Sequence, residues 1–321
     1  MQKEILVVLK DAEEKDFLTP HLLPVSELVH MVEIGDLSQA MAHFEESRKV
    51  PALIIISTRL YPEGNPGLVA TLEARYPGSE ILLVSSSSDP FPPLQPLIRD
   101  NVRHLVINPE KNGVFDEEPE LSLFSLAIRK ISEGLSLTIR DYLRPDTYIH
   151  EIRVSSSDQK EEIIARLEGV INGDSSEIEL LRQKGALLAD EMLENAIYDA
   201  PRKEDSASLY KKGKKRRVPL KENIAFRFGF DGETLAMEVE DGWGSLSPKV
   251  VLEHFAKNQD DFELFDEAGG RGLFILWRFL DHIHIHINPG RQTVVGGHVK
   301  LVTAENLIEK KGFHITTSCA V

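Results

Sequence analysis

Within LLADEMLENAIYDAP, residues 187–201, Glu191 and Asn195 stand four positions apart on a regular apolar repeat. Ala189, Met192, Leu193, Ala196, Ile197 and Ala200 recur in alternating steps of three and one, which predicts a helix with one buried face. Glu191 and Asn195 then lie side by side, one turn apart, away from that face. A carboxylate beside a carboxamide offers a proton acceptor next to an oxygen ligand for a hard cation such as Mg²⁺. No basic residue in the stretch neutralises Glu191 or Glu194. A solvated helix face can carry the same pair, so the chemistry depends on what accompanies it.

Two later segments accompany it. TLAMEVEDGWG, residues 234–244, reads as a strand ending in Asp241, with Gly242 and Gly244 allowing a tight backbone turn against a flat ligand. EAGGRGLFILWRFLD, residues 267–281, is a Gly-rich turn entering an apolar helix, where free backbone N–H groups and the helix dipole favour phosphate oxygens. Taken singly, the first is a turn and the second a loop.

Such groups need a scaffold. Residues 4–9, 51–57, 80–85 and 103–108 are short β-rich apolar runs, with VHMVEI at 29–34 a weaker fifth. Helical patterns such as DLSQAMAHFEESRK and NPGLVATLEARYP lie between them, which predicts an α/β fold with a doubly wound parallel sheet. DEEPE at 116–120 suggests a boundary, and LSLFSLAIRKISEGLSLTIRDYLRP reads as one helix of about six turns stopped by Pro145. That helix could close the first domain, link two halves or pair with a second copy as a homodimer. The expected division is 1–119, a helical connector at 120–145, and 146–321 as an α/β two-layer sandwich with a mixed sheet.

The ordered series of E-x-x-x-N helix, D-x-G-x-G at a strand end and Gly-rich turn with helix resembles the nucleotide-binding domain of the GHKL ATPases. This superfamily includes gyrase, Hsp90, histidine kinases and anti-sigma-factor serine kinases, and the resemblance covers about residues 146–305. It implies that Asn195 ligates Mg²⁺ and that Asp241 accepts a hydrogen bond from the adenine amino group of ATP. Gly242 and Gly244 would shape the adenine pocket, and Gly270 and Gly272 would lie against the phosphates, with Arg271 touching phosphate or facing solvent. Glu191 stands where members that perform chemistry keep a general base, and Ser245 to Ala268 would form a lid. Ala268 and Arg271 depart from the histidine-kinase Gly-x-Gly-Leu-Gly pattern, and the short lid is more similar to the anti-sigma serine-kinase branch.

Residues 1–119 resemble a response-regulator receiver whose chemistry is missing. Ser57 stands where the phospho-accepting Asp belongs and Asn108 where the Lys belongs, Ser85 keeps the hydroxyl position, and Asp11 alone represents the acidic pair. Without a carboxylate nucleophile no acyl phosphate forms. A docking role, as a pseudo-receiver, is expected.

Three segments invite over-reading. HEIR at 150–153 matches a histidine-kinase acceptor box, but TYIHEIRVSSSDQ alternates as a strand does. HIHIHI at 282–287 spaces its histidines about 6.8 Å apart along a strand, too far for one metal, and reads as a half-exposed strand. KKGKKRR at 211–217 reads as a solvated loop or a dock for an acidic partner.

The 321 residues carry a formal charge of −15, which disfavours nucleic acid and anionic membrane as partners. No apolar run approaches the roughly 20 residues of a membrane span. The single Cys319 and the lack of a signal-peptide pattern predict a cytoplasmic protein. The expected function is signal transduction through Mg·ATP binding and regulation of a partner protein, either by Ser/Thr phosphorylation or by ATP-dependent holding. The alternative is a non-catalytic adaptor built from two degenerate domains.

Overall fold

A computed structural model describes residues 4–61, 65–86, 89, 92–108, 122–202, 208–256, 271–301 and 311–318. The chain divides into two compact units, Met1–Leu137 and Thr138–Val321.

In the first unit the apolar runs form five parallel strands: β1 (Ile5–Leu9), β2 (Val29–Glu33), β3 (Leu53–Ser57), β4 (Glu80–Ser86) and β5 (His104–Asn108), in the order β2-β1-β3-β4-β5. Between them run α1 (Ala12–Leu22), α2 (Leu37–Ser47), α3 (Leu68–Arg75) and α4 (Leu94–Arg99), and α5 (Leu123–Glu133) follows. Ile5, Val7 and Leu9 pack with Leu18 and Leu22 of α1 and with Phe124, Ala127, Ile128 and Ile131 of α5. Leu6 and Val8, on the opposite face, are equally buried, so both faces of the sheet are covered. The doubly wound parallel sheet expected from the sequence is present.

The six-turn helix is not. α5 has 11 residues and ends at Gly134, whose φ of 73° is the left-handed helix stop that glycine adopts without strain. The apolar residues beyond it belong to other structure. Leu137 closes the first unit, while Ile139 lies in a short 3₁₀ turn of the second. The apolar face of α5 is spent inside the first unit.

The second unit carries a mixed sheet in the order β11-β9-β10-β8-β7-β6. Its strands are β6 (His150–Arg153), β7 (Ala225–Phe230), β8 (Thr234–Asp241), β9 (His282–Asn288), β10 (Gln292–Lys300) and β11 (Gly312–Thr317), all antiparallel to their neighbours except β11 on β9. The helices are α6 (Lys160–Val170), α7 (Ser176–Glu194), α8 (Pro248–Phe255) and α9 (Arg271–Phe279). A Cβ on Gly185 of α7 would come within 2.7 Å of Leu235, so Leu235, Met237, Val239 and Asp241 of β8 face the helical layer.

The opposite face of this sheet overturns the reading of HIHIHI as half-exposed. His282 and His284 are each 1% exposed, because the Ile139–Tyr142 turn lies over them. The Tyr142 hydroxyl bridges His282 Nδ1 at 3.0 Å and His284 Nδ1 at 3.1 Å, and its ring lies 4.5 Å from that of His298. His284 Nε2 reaches Glu238 at 3.3 Å across Gly296, where a Cβ would come within 2.5 Å of both side chains. Glu238 also accepts the backbone N–H of Ile139 at 3.1 Å, which anchors the turn. Among the described residues, no helix is long and apolar enough to cross a membrane.

Candidate functional site

Ser175 caps α7 by accepting the N–H of Ile178, and the helix buries Leu181, Leu188, Ala189, Met192 and Leu193. At Asn195 the winding changes. Residues Asn195–Asp199 form a π turn, in which the N–H of Ala200 reaches the carbonyl of Asn195 at 2.7 Å. Such single turns recur at functional sites because the extra residue re-aims the side chains around it. Here the turn packs on β8, and the body of α7 packs on α9.

The acidic surface of α7 is neutralised from a distance. Lys160 of α6 bonds Glu194 at 2.6 Å and Asp190 at 2.9 Å. Glu191 is left out of that pairing and is half-buried. Burial pushes its carboxyl above the usual range, while the charges of Lys212 and Arg271 pull it back. A carboxylate raised in this way is a better proton acceptor near neutrality.

Asn195 meets the start of α9. A Cβ on Gly272 would fall 2.4 Å from both the oxygen and the nitrogen of the Asn195 carboxamide, so only glycine allows this approach. The Asn195 Nδ2 is buried and makes no hydrogen bond among the described residues. An orphaned buried amide donates to something outside the chain or costs about 1–3 kcal/mol. Arg271 is the first residue of α9. Gly270 and residues 257–268 of the expected lid lie outside the described residues. The first part of that segment is α8, whose Phe255 stacks on Trp277 at 4.6 Å.

Asp241 ends β8, 5% exposed and on the helical face. It accepts the N–H of Trp243 at 2.8 Å. Burial pushes its carboxyl up to about 7, against the pull of the Trp243 and Gly244 amides. Gly242 and Gly244 owe their identity to the protein's own backbone. A Cβ on Gly242 would sit 2.8 Å from the carbonyl of Glu222, and one on Gly244, at φ 57°, would sit 2.2 Å from the carbonyl of Asn288.

The basic loop is less free than its composition suggests. Lys211, Lys214 and Lys215 are exposed, whereas Arg216 is folded inward. Its guanidinium pairs with the 1%-exposed Glu222 at 2.5 Å, donates to the carbonyl of Ile197 at 2.6 Å and lies 3.8 Å from the Tyr210 ring. Lys212 pairs with Asp199 at 2.8 Å. The loop thereby holds the π turn from outside. The sequence reading took Lys212 and Arg216 as part of a solvated or docking loop and missed both their inward pairing and Glu222; the Lys-rich run held the signal, but its buried acidic partner did not stand out.

HEIR is strand, as expected, and His150 stacks on Phe228 at 5.0 Å. In the first unit, Ser57 ends β3 and is buried, and its hydroxyl donates to Glu14 at 2.5 Å. Arg59 lies 3.6 Å from Glu14 and 3.7 Å from Asp11. Glu14, not singled out from sequence, is therefore a carboxylate in direct contact with this serine, and an arginine supplies the neighbouring positive charge. Ser85 is buried on β4, and Asn108 is the last residue of β5.

No protein-family model matches this chain, and no curated protein matches it.

Proposed function

We propose that the second unit binds Mg·ATP among the π turn, the start of α9 and the end of β8, as the GHKL resemblance implies, and that the chain phosphorylates Ser or Thr on a partner protein. The observation that carries this reading is the buried, unspent amide of Asn195 against Gly272, on a turn that packs on the strand bearing Asp241. The orphaned Nδ2 is a donor and fits a phosphate oxygen as its missing partner, and the carboxamide oxygen beside it is the atom suited to a hard cation.

Asn195 would hold Mg²⁺, which when bound offsets charge on the phosphates. Asp241, once ionised, accepts the exocyclic amino hydrogen of adenine. Glu191 takes the proton of the acceptor hydroxyl, and the N–H groups opening α9 orient phosphate oxygens. The first unit, with serine in place of the phospho-accepting aspartate, serves as a docking module. These roles make a signalling protein that couples ATP to a protein partner.

Calorimetry with ATP and Mg²⁺ on wild type and Asp241→Asn tests binding, and labelled ATP with candidate partners on Glu191→Gln tests transfer. The reading expects saturable binding by wild type, at least about tenfold weaker binding by Asp241→Asn, and retained binding without transfer by Glu191→Gln. No binding by wild type would leave a non-catalytic adaptor.

A further inference from the structure

At the end of the first unit's sheet remote from Ser57, three side chains from three elements converge. Glu4 immediately precedes β1, His30 is on β2 opposite Leu6 of β1, and His43 is on α2. Each offers one ligand atom, and the three atoms lie within 4.8 Å of one another. Because β1 and β3 run parallel, the start of β1 and the end of β3 mark opposite ends of the sheet. This cluster is therefore separate from the Ser57, Glu14 and Arg59 group.

We propose that Glu4, His30 and His43 form a binding site for a divalent ion of the zinc class, with water completing the coordination. Two imidazoles and a carboxylate are the donor set that zinc takes in sites keeping one open position. Tetrahedral zinc with bonds near 2.0–2.1 Å separates its ligand atoms by about 3.3–3.4 Å. Glu4 Oε2 and His30 Nε2 already stand 3.2 Å apart.

That approach is not an ordinary hydrogen bond. Glu4 Oε2 is buried and has no hydrogen-bond partner among the described residues, so its contact with His30 is an ion pair only when that ring is protonated. Glu4's other oxygen is engaged by Lys49, leaving one oxygen for the ion. His43 completes the set from an exposed position on α2, where a small side-chain rotation closes the remaining gap.

Aromatic side chains flank the two rings. Phe44 meets His30 edge-on at 5.2 Å and His43 at 5.7 Å, and Tyr76 packs behind it at 5.8 Å. The imidazole centroids are 4.9 Å apart. Strand β2 is an edge strand with every residue only partly buried, so an ion here would pin that edge to β1 and α2. Lys49 is the counterweight: its ammonium repels an incoming cation, and its side chain is 54% exposed and free to swing away.

The test uses the untagged full-length protein, stripped with chelator and titrated calorimetrically with zinc sulfate, and with magnesium chloride as control. The expected result is one zinc bound at this site with a rise in Tm, no comparable binding of magnesium, and visible tetrahedral absorption when cobalt(II) replaces zinc. His43→Gln, an exposed change that the fold accommodates, weakens zinc by more than about 100-fold, since even lost supporting contacts cost 10- to 100-fold. Lys49→Met tightens it. Wild type that binds no zinc, or His43→Gln that binds zinc with unchanged affinity and stoichiometry, would overturn the assignment.

Discussion

The Cα of Gly272 lies so close to Asn195 that a methyl group there would meet the carboxamide at 2.4 Å. The start of α9 and the end of α7 are thereby fitted through one missing side chain. Gly272→Ala is expected to displace Asn195 or to push α9 away, at a cost of about 1–3 kcal/mol. ATP affinity should fall at least tenfold alongside, while Arg278→Ala, on the last turn of α9, should leave affinity unchanged. Thermal melts and calorimetry on the two variants check this.

Asp241 gives a pH dependence with a defined sign. Burial pushes its folded carboxyl up to about 7, above the ordinary aspartate value of 3.8. The folded state therefore favours the protonated form, and the contribution to stability is full below about pH 4 and lost as pH rises to about 7. Asp241→Asn, which cannot ionise, should lack this loss. The difference in unfolding free energy between wild type and variant, from denaturant titrations, should shift in the variant's favour across that window, by a few kcal/mol at most. A constant difference from pH 4 to pH 8 would contradict it.

Arg216 and Glu222 form a buried pair that ties the basic loop to the π turn. Removing one partner strands the other charge, so Arg216→Met or Glu222→Gln should each cost about 3–5 kcal/mol. The double variant should cost less than the sum, because the stranded charge is gone. Urea denaturation of the four proteins yields the coupling directly.

Tyr142 links the turn at 139–142 to two histidines of β9. Tyr142→Phe keeps the ring over His298 but deletes the bridging hydroxyl. Stability should drop by about 1–3 kcal/mol, and hydrogen exchange at Ile139, whose N–H is held by Glu238, should quicken.

The strands β1, β3, β4 and β5 were legible because buried parallel strands are continuous apolar runs. Glu191, Asn195 and Gly272 were also legible as a group, since helical spacing and a Gly-rich turn are local patterns. The end of α5 was misread because apolar spacing continues through Gly134 into Leu135 and Leu137, and only the left-handed φ at Gly134 reveals the stop. HIHIHI misled for a different reason. Histidine reads as polar in a strand pattern, and the Tyr142 that buries it is 140 positions away from His282. Arg216 disappeared into a run of charges because its acidic partner becomes recognisable only when the loop is folded.

The π turn at Asn195–Asp199 means that chain length, and not only composition, is constrained where α7 ends. A single peptide unit separates this winding from that of an ordinary helix. Gain or loss of one link between Ala196 and Ala200 would rotate everything downstream by about 100°, so this short span is a place where the molecule can exchange side chains but cannot change its count.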